Sequence, residues 1–250
     1  MSLAKKISFF IILVIVVISI WYLQSSKVQP GGGGSSSQNI AVTSENSGAT
    51  NGVTSSVTGI TSSASVSAAL RALAVADRKA GYVSAKEIAG PTGFVNVSSS
   101  FNLSSLIGKK IILLDFWTYS CINCIRTIPH LNAWETAYAS SGLEIVGMHT
   151  PEFDFEKNIA NVRAAVAQYG IQYPVVLDSN YSTWNAYANL YWPEEYIIDM
   201  AGYIVHQNIG EGDYDGTETE IQSLLKERAS ILGLSTPIFN GFAPVRGGQS

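Results

Sequence analysis

The chain has 250 residues, 46% of them hydrophobic and 14% charged, with a formal net charge of −4. That length holds one or two domains. With an acidic balance and no block of basic residues, nucleic-acid binding finds no support, and no internal repeat points to a solenoid.

In chain order, the first feature is Ile7–Leu23, ISFFIILVIVVISIWYL, seventeen residues without a charge that follow Lys5 and Lys6. A membrane-crossing helix needs about 20 apolar residues, with roughly 17 as the lower limit. The run is longer than a signal-peptide core and no small-x-small cleavage site follows at Trp21–Ser26, so an uncleaved anchor is expected over 1–23. The lysine pair favours a cytoplasmic N-terminus with everything else outside, although Lys27 weighs slightly against it. Residues 24–66 include PGGGGSSSQN and carry almost no charge or aromatic residue, a composition that cannot bury a core and is expected to form a flexible tether. A coil of about 40 residues reaches on the order of 35 Å. Residues 67–234 are the expected folded domain, and 235–250, STPIFNGFAPVRGGQS, an expected loose tail. Lys5, Lys6, Lys27 and Glu45 are the only charges before residue 64, which leaves a balance of −6 on the remainder.

Within the domain, the alanine-rich Ser67–Lys79 has helical spacing, broken by Gly90-Pro91 and Gly93, and Phe94–Val97 reads as a short strand. Lys110–Phe116, KIILLDF, is a continuous apolar run with β-branched residues, as in a buried strand. Cys121–Ser140 is helical and Leu143–Met148 a second buried strand. Phe155–Tyr169 carries Ile159, Val162, Val166 and Tyr169 at helical spacing. Pro174–Leu177 is a short strand, Tyr181–Ala188 a short helix, and Glu195–Ile198 with Tyr203–Gln207 a hairpin around Asp199-Met200-Ala201-Gly202. Thr217–Leu232 is an amphipathic helix. This order implies an α/β fold with a central mixed sheet flanked by helices. Ligands of such sheets gather at the carboxyl ends of the parallel strands, where the cysteines follow the first strand directly.

Cys121 and Cys124 are the only cysteines, in the stretch LLDFWTYSCINCIRTIPHL. At a helix start, the Cys121 sulfur faces unpaired N–H groups and the positive end of the dipole, which favour the nucleophilic thiolate. Cys124, one turn further in, is placed to attack a mixed disulfide formed on Cys121, so the pair can pass two electrons to or from a partner. A structural disulfide across two residues would constrain little of the unfolded chain. Zinc would need further ligands, of which His130, His149 and His206 are the available histidines. Neither a metal nor another cofactor is expected. His149 and Glu152 follow the second buried strand and reach the same sheet edge, where they, with Trp117, are candidates for tuning the thiolate; a solvated polar loop is an equal reading of the first two.

LLDFWTYSCINC resembles the thioredoxin-like fold of the membrane-anchored TlpA and ResA group, and above all the C-terminal domain of DipZ-type proteins. The likeness extends from about Ala89 to Leu232 through FNLSSLIGKKIILLDFW, HTPEFDFEKN, YPVVLDSNYSTWNAYANLYWPEEYIID and GEGDYD. It implies that Cys121 attacks and Cys124 resolves. Asp115 matches the buried acid that accepts the proton of the second cysteine; an acid on a buried strand is poorly solvated, which raises its pKa toward useful values. Pro129 matches a helix-kinking proline. Pro193 stands at the family's cis-proline position, with Trp192 before it offering backbone groups to an extended client strand, and Gly210-Glu211-Gly212 borders that groove. Thioredoxins carry Gly-Pro between their cysteines; Ile122 and Asn123 here bring no charge, so nothing marks an extreme oxidant, and the group favours a reductant of client protein disulfides. The DipZ resemblance would also bring a multi-span electron-delivering domain on the same chain. The single apolar run Ile7–Leu23 departs from it, so electrons are expected from a separate membrane donor of the CcdA or DsbD kind, with a single-pass position in the cell membrane and an extracytoplasmic catalytic domain.

Two other readings stand beside it. A peroxiredoxin-like thiol peroxidase would have threonine three residues before its cysteine, as Thr118 is, but also proline four residues earlier, where Leu114 stands. A copper carrier of the Sco type would use the dithiol for soft Cu(I) with a distant histidine, but spaces its cysteines by three residues rather than two.

Overall fold

The computed structural model describes residues 62–245. The expected membrane anchor and most of the expected tether lie outside the described residues, and none of the described helices is long and apolar enough to cross a membrane.

The first helix, α1, spans Ser63–Ala80 and starts four residues earlier than the alanine pattern indicates because Ser62 caps it, accepting from the Ser65 amide. Gly81, at φ 87°, closes it in the left-handed conformation that glycine adopts without steric cost. The strands follow as β1 (Val83–Ser84), β2 (Gly93–Val95) and β3 (Ile111–Trp117), then α2 (Ile122–Tyr138), β4 (Leu143–His149), α3 (Ile159–Gln168), β5 (Val175–Leu177), α4 (Ser182–Ala186), β6 (Glu194–Ile198), β7 (Tyr203–Ile209) and α5 (Tyr214–Leu232).

Among the described residues, the strands form one mixed sheet in the order β1-β7-β6-β3-β4-β5-β2. β3 is its centre, parallel to β4 and antiparallel to β6, and every one of its residues is buried. That accounts for the unbroken apolar run, since a strand covered on both faces has no solvent side to alternate with. Side chains of alternate residues still part to opposite faces. Ile111, Leu113 and Trp117 join Ile128, Leu131 and Trp134 of α2, Val162 of α3 and Ile221 and Leu225 of α5. Ile112, Leu114 and Phe116 join Trp184 of α4 and the irregular segment containing Leu103. α2 therefore crosses the sheet over the first of these faces, with Cys124 among its buried contacts and Pro129 inside the helix.

Three expectations need correction. Phe155–Tyr169 is not one helix: a 3-10 turn over Asp154–Lys157 ends at Asn158, whose side chain accepts from the Ala160 amide and starts α3 afresh. The short β1 went unrecognised, since two residues carry no period. The segment after α5 is not loose through its described part. Phe239 packs edge-on to Tyr138 at 5.2 Å, the Gln222 amide donates to the Gly241 carbonyl at 2.9 Å, and the Ala243 N–H donates to the Glu218 carboxylate. The apolar Phe239 and Ala243 are what hold it there.

Candidate active site

β3 ends at Trp117, and three residues later the chain enters α2 with Cys121 as its N-cap, at φ −71° and ψ 115°. The cysteine occupies a position that usually belongs to serine, threonine or aspartate, and its sulfur accepts from the Cys124 amide at 3.3 Å. Cys121 is half-buried and Cys124 buried, with the thiols not joined. The Cys124 thiol donates to the Cys121 sulfur, and together with the Cys124 and Asn123 amides this brings the Cys121 pKa down to about 7, against burial and the charge of Glu152. Burial, the hydrogen bond to Cys121 and the charge of Asp115 push Cys124 far up. One sulfur is thus prepared to be a thiolate near neutral pH, and its neighbour is held as a thiol.

Asp115 lies on the α2 face of β3 and is 1% exposed. Burial first, then the neighbouring Glu195 and Cys121, raise its pKa well above the ordinary value. Trp117, on the same face, is fully buried, and its indole comes so close to β4 that a Cβ on Gly147 would stand 2.8 Å from Nε1. Glycine is required there by close approach rather than by a turn.

On the other side of Cys121, the Trp192–Pro193 peptide bond is cis, and the Cys121 thiol donates to the Trp192 carbonyl at 3.8 Å. The Trp192 indole is fixed by donating to the Thr150 carbonyl at 3.0 Å and by packing against Trp184 at 4.2 Å. The Gly210 amide donates to the Pro193 carbonyl at 2.9 Å, which brings the 210–212 turn beside this peptide. Exposed apolar side chains lie on the segments around the nucleophile: Ile122 next to it in sequence, Leu190 and Tyr191 before Trp192, and Phe155, whose ring meets Tyr119 at 6.1 Å.

His149 and Glu152, expected at this edge, occupy different environments. His149 is fully buried, stacked on Tyr119 at 5.6 Å and edge-on to Trp117 at 5.2 Å, with Nε2 3.4 Å from the Thr118 hydroxyl. Burial lowers its pKa to about 4 despite the nearby Glu156, so it is neutral near physiological pH and brings no positive charge to the thiolate. Glu152 is exposed, and its charge opposes ionisation of Cys121.

Two acids of this region carry no mark in the sequence. Glu156, fully buried, accepts from the Ser120 hydroxyl at 2.6 Å, from the Ser120 amide at 3.3 Å, and from the Glu152 and Phe153 amides at 2.6 and 2.9 Å. Burial opposes its ionisation, but these donors prevail and hold its pKa below the ordinary value. It binds the loop before Cys121 to the loop after β4. Glu195, also 1% exposed, stands opposite Asp115 in the β3–β6 register. Only the hairpin register could have found it, since alternation along β6 places Glu195 and Ile197 on the face that Asp115 and Leu113 share.

The sequence pattern of the AhpC/TSA family covers residues 84–207. Protein DipZ of Mycobacterium tuberculosis is 48% identical over 155 residues, which is 61% of this chain and 22% of DipZ, so the chain spans less than a quarter of that relative's length. The thiol-disulfide oxidoreductase ResA of Bacillus thuringiensis is 30% identical over 138 residues, 51% of this chain and 74% of ResA. Among solved structures, a thioredoxin-like protein in the oxidized form matches with a TM-score of 0.53 at 25% identity, over 58% of this chain and 97% of that one. With the sheet order, the helix-capping cysteine and these relatives taken together, the chain belongs to the AhpC/TSA family of thioredoxin-like proteins.

Proposed function

We propose that this chain is a membrane-tethered, extracytoplasmic thiol–disulfide oxidoreductase that reduces the disulfides of client proteins. The observation that carries the reading is the inequality of the two sulfurs, Cys121 half-buried and ionising at about 7, Cys124 buried and held protonated. A nucleophile must be accessible and charged, and a resolving thiol must stay silent until a mixed disulfide forms.

In the reducing direction, the Cys121 thiolate attacks one sulfur of the client disulfide. The Cys121–client bond forms as the client S–S bond breaks, and the departing client sulfur leaves as a thiolate. Cys124 then gives its proton to the Asp115 carboxylate and attacks the Cys121 sulfur. The Cys121–Cys124 disulfide forms, the mixed disulfide breaks, and the second client sulfur leaves. The client has gained two electrons and the pair has lost them. A membrane electron-donor protein of the CcdA or DsbD kind would restore the dithiol. Trp192, whose carbonyl faces the Cys121 sulfur, supports docking of an extended client strand beside Pro193. The exposed Ile122, Leu190, Tyr191 and Phe155 favour a polypeptide over a small polar substrate. Support for the reducing direction comes from the TlpA and ResA resemblance and from the uncharged Ile122 and Asn123 between the cysteines. The uncharged run Ile7–Leu23 and the tether after it support a single anchor with the domain outside.

The test is a trap. Cys124→Ser in the full chain should hold clients on Cys121 as mixed disulfides that thiols release, and Cys121→Ser should hold none. Failure of any thiol-sensitive adduct to accumulate on Cys121 would remove the client-reducing role. A redox titration of the wild-type pair fixes direction: a potential near about −270 mV fits a reductant, and one near about −120 mV an oxidant.

A further inference from the structure

Asp115 is not alone beneath Cys124. The sheet register pairs Asp115 of β3 with Glu195 of β6, and Glu195 with Asn208 of β7. Residues opposed in this way point to one face, with Cβ atoms about 4.5–5.5 Å apart. On β3 that face is shared with Leu113 and Trp117, which pack in the same cluster as Cys124. A row of three polar side chains thus runs across neighbouring strands, from beneath the resolving thiol to Asn208. Asn208 is half-buried, and its amide donates to the carbonyls of Gly210 at 3.3 Å and Gly212 at 3.0 Å, in the turn ahead of α5.

The chemistry of the row is unusual for a core. Asp115 and Glu195 are each 1% exposed, and Asp115 Oδ1 and both Glu195 carboxyl oxygens have no hydrogen-bond partner among the described residues. Two carboxyls so close and so dry cannot both be ionised at low cost, and one of them must hold a proton. The groups that act on them bring no positive charge: Glu195 and Cys121 on Asp115, and Asp213 on Glu195. An aspartate that keeps its proton cannot receive another from Cys124. For Asp115 to serve as a base, its own proton needs somewhere to go.

We propose that Glu195 is a positioning residue for the resolving step: it exchanges a proton with Asp115, leaving Asp115 as a carboxylate when Cys124 must be deprotonated, and passes that proton to solvent past Asn208. This rests on the oxidoreductase reading above. As the Cys124 S–H bond breaks, its proton goes to Asp115 and its electron pair forms the S–S bond to Cys121. The proton then moves from Asp115 to Glu195 and leaves at the 208–213 turn, and the departing client thiolate takes one from solvent. When the Cys121–Cys124 disulfide is reduced, the same row returns a proton to Cys124. Burial, with the charge of Asp213, sets Glu195 at about 7, so it exchanges protons with water near neutral pH, while burial likewise raises Asp115 well above its ordinary value. The pair titrates as a unit rather than as two residues.

The experiment separates capture from resolution in single turnovers of the reduced full chain with oxidised glutathione, from about pH 6 to pH 9. Glu195→Gln keeps the shape and removes the exchangeable proton. Capture by Cys121 should stay within about twofold of wild type, while resolution by Cys124 slows about tenfold near neutral pH and loses one ionisation from its pH profile. Glu195→Asp should restore both rate and profile in large part. A resolution profile in Glu195→Gln that overlays wild type would overturn the proposal, as would an equal fall in capture and resolution, the mark of general loss of packing. If wild-type protein captures no disulfide at all, the oxidoreductase reading fails and takes this one with it. Normal capture with unaltered resolution removes Glu195 alone.

Discussion

The two faces of β3 are built from alternate residues of one heptapeptide, and they follow different rules. Ile112, Leu114 and Phe116 point to a face closed by aromatic rings, where Phe116 meets Trp184, Tyr187 and Tyr196 at 5.8, 5.4 and 5.8 Å in edge-on contacts. Ile111, Leu113, Asp115 and Trp117 point to the face under α2, which also packs large side chains but is interrupted by the acid row. The first face is apolar at every β3 position, and its role is to be rigid. The second gives up one apolar position per strand to place a proton acceptor under a thiol. A buried carboxyl costs stability, because ionising it in the core is unfavourable. The chemistry is inserted into the core at single positions, while the opposite face supplies the stability that tolerates them.

The comparison is tested most severely on the aromatic face. Phe116→Ala removes a fully buried ring and three aromatic contacts, and should cost about 3–5 kcal/mol in urea unfolding. Under conditions where the variant remains folded, the alkylation rate of Cys121 should match wild type, since none of Ile112, Leu114 and Phe116 is among the groups that act on the sulfur. A loss of thiol reactivity larger than the loss of folded protein would mean that the faces are not separate in function.

Asp115→Asn tests the other face, with a smaller effect and of mixed sign. Resolution by Cys124 should slow by about a hundredfold, the usual worth of a positioned base. Stability should move the other way. The folded chain raises the Asp115 pKa, so it favours the protonated acid. Below the unfolded value of about 4 both states are protonated and the acid has no adverse effect; as pH rises, the unfolded chain ionises first and the folded state loses stability. The asparagine variant lacks that slope and should be the more stable protein near neutral pH, with the advantage vanishing at about pH 4. An aspartate that stabilises the fold at neutral pH would contradict this.

How much of this was legible follows the range of the interactions. KIILLDF announces a strand buried on both faces, and CINC at a strand-to-helix junction announces its chemistry, because both signals are local. The roles of Asp115, Trp192 and Pro193 came from the family resemblance and not from any period in the chain. Glu195 went unread, since its burial depends on β6 lying between β3 and β7, and Glu156 because its partner Ser120 lies 36 residues back. For His149 the sequence leaves thiolate tuning and a solvated loop equally open, and a strand that ends only at that residue carries it inside, between Trp117 and Tyr119. The split between the 3-10 turn and α3 was missed because Asn158 interrupts without disturbing the apolar spacing.

A second acid pair, at the end of the sheet away from the cysteines, shows what such a pair does without a thiol. Asp77 in the last turn of α1 and Asp199 after β6 are both buried, and the charge of Asp77 acts on Asp199. Asp199 Oδ1 accepts from the Ala201 and Tyr203 amides at 3.0 and 2.8 Å, while Oδ2 of each aspartate has no hydrogen-bond partner among the described residues. Burial first, and then Asp77, bring Asp199 up to about 7. The folded state therefore keeps a proton that the unfolded chain releases at about pH 4. Below that pH the buried Asp199 carboxyl carries no penalty; between about pH 4 and 7 the folded state loses stability, and above about 7 the loss is complete. Asp77→Asn supplies an amide donor to the Asp199 carboxylate without needing a proton. It should gain about 1–2 kcal/mol over wild type near pH 8 and nothing near pH 4, measured by urea unfolding at each pH. Cys121 alkylation should not change at either. If the variant is less stable at pH 8, the charge of Asp77 is not what opposes ionisation of Asp199; if its thiol reactivity shifts, the two ends of the sheet are coupled and the separation between a chemical acid row and a structural acid pair fails.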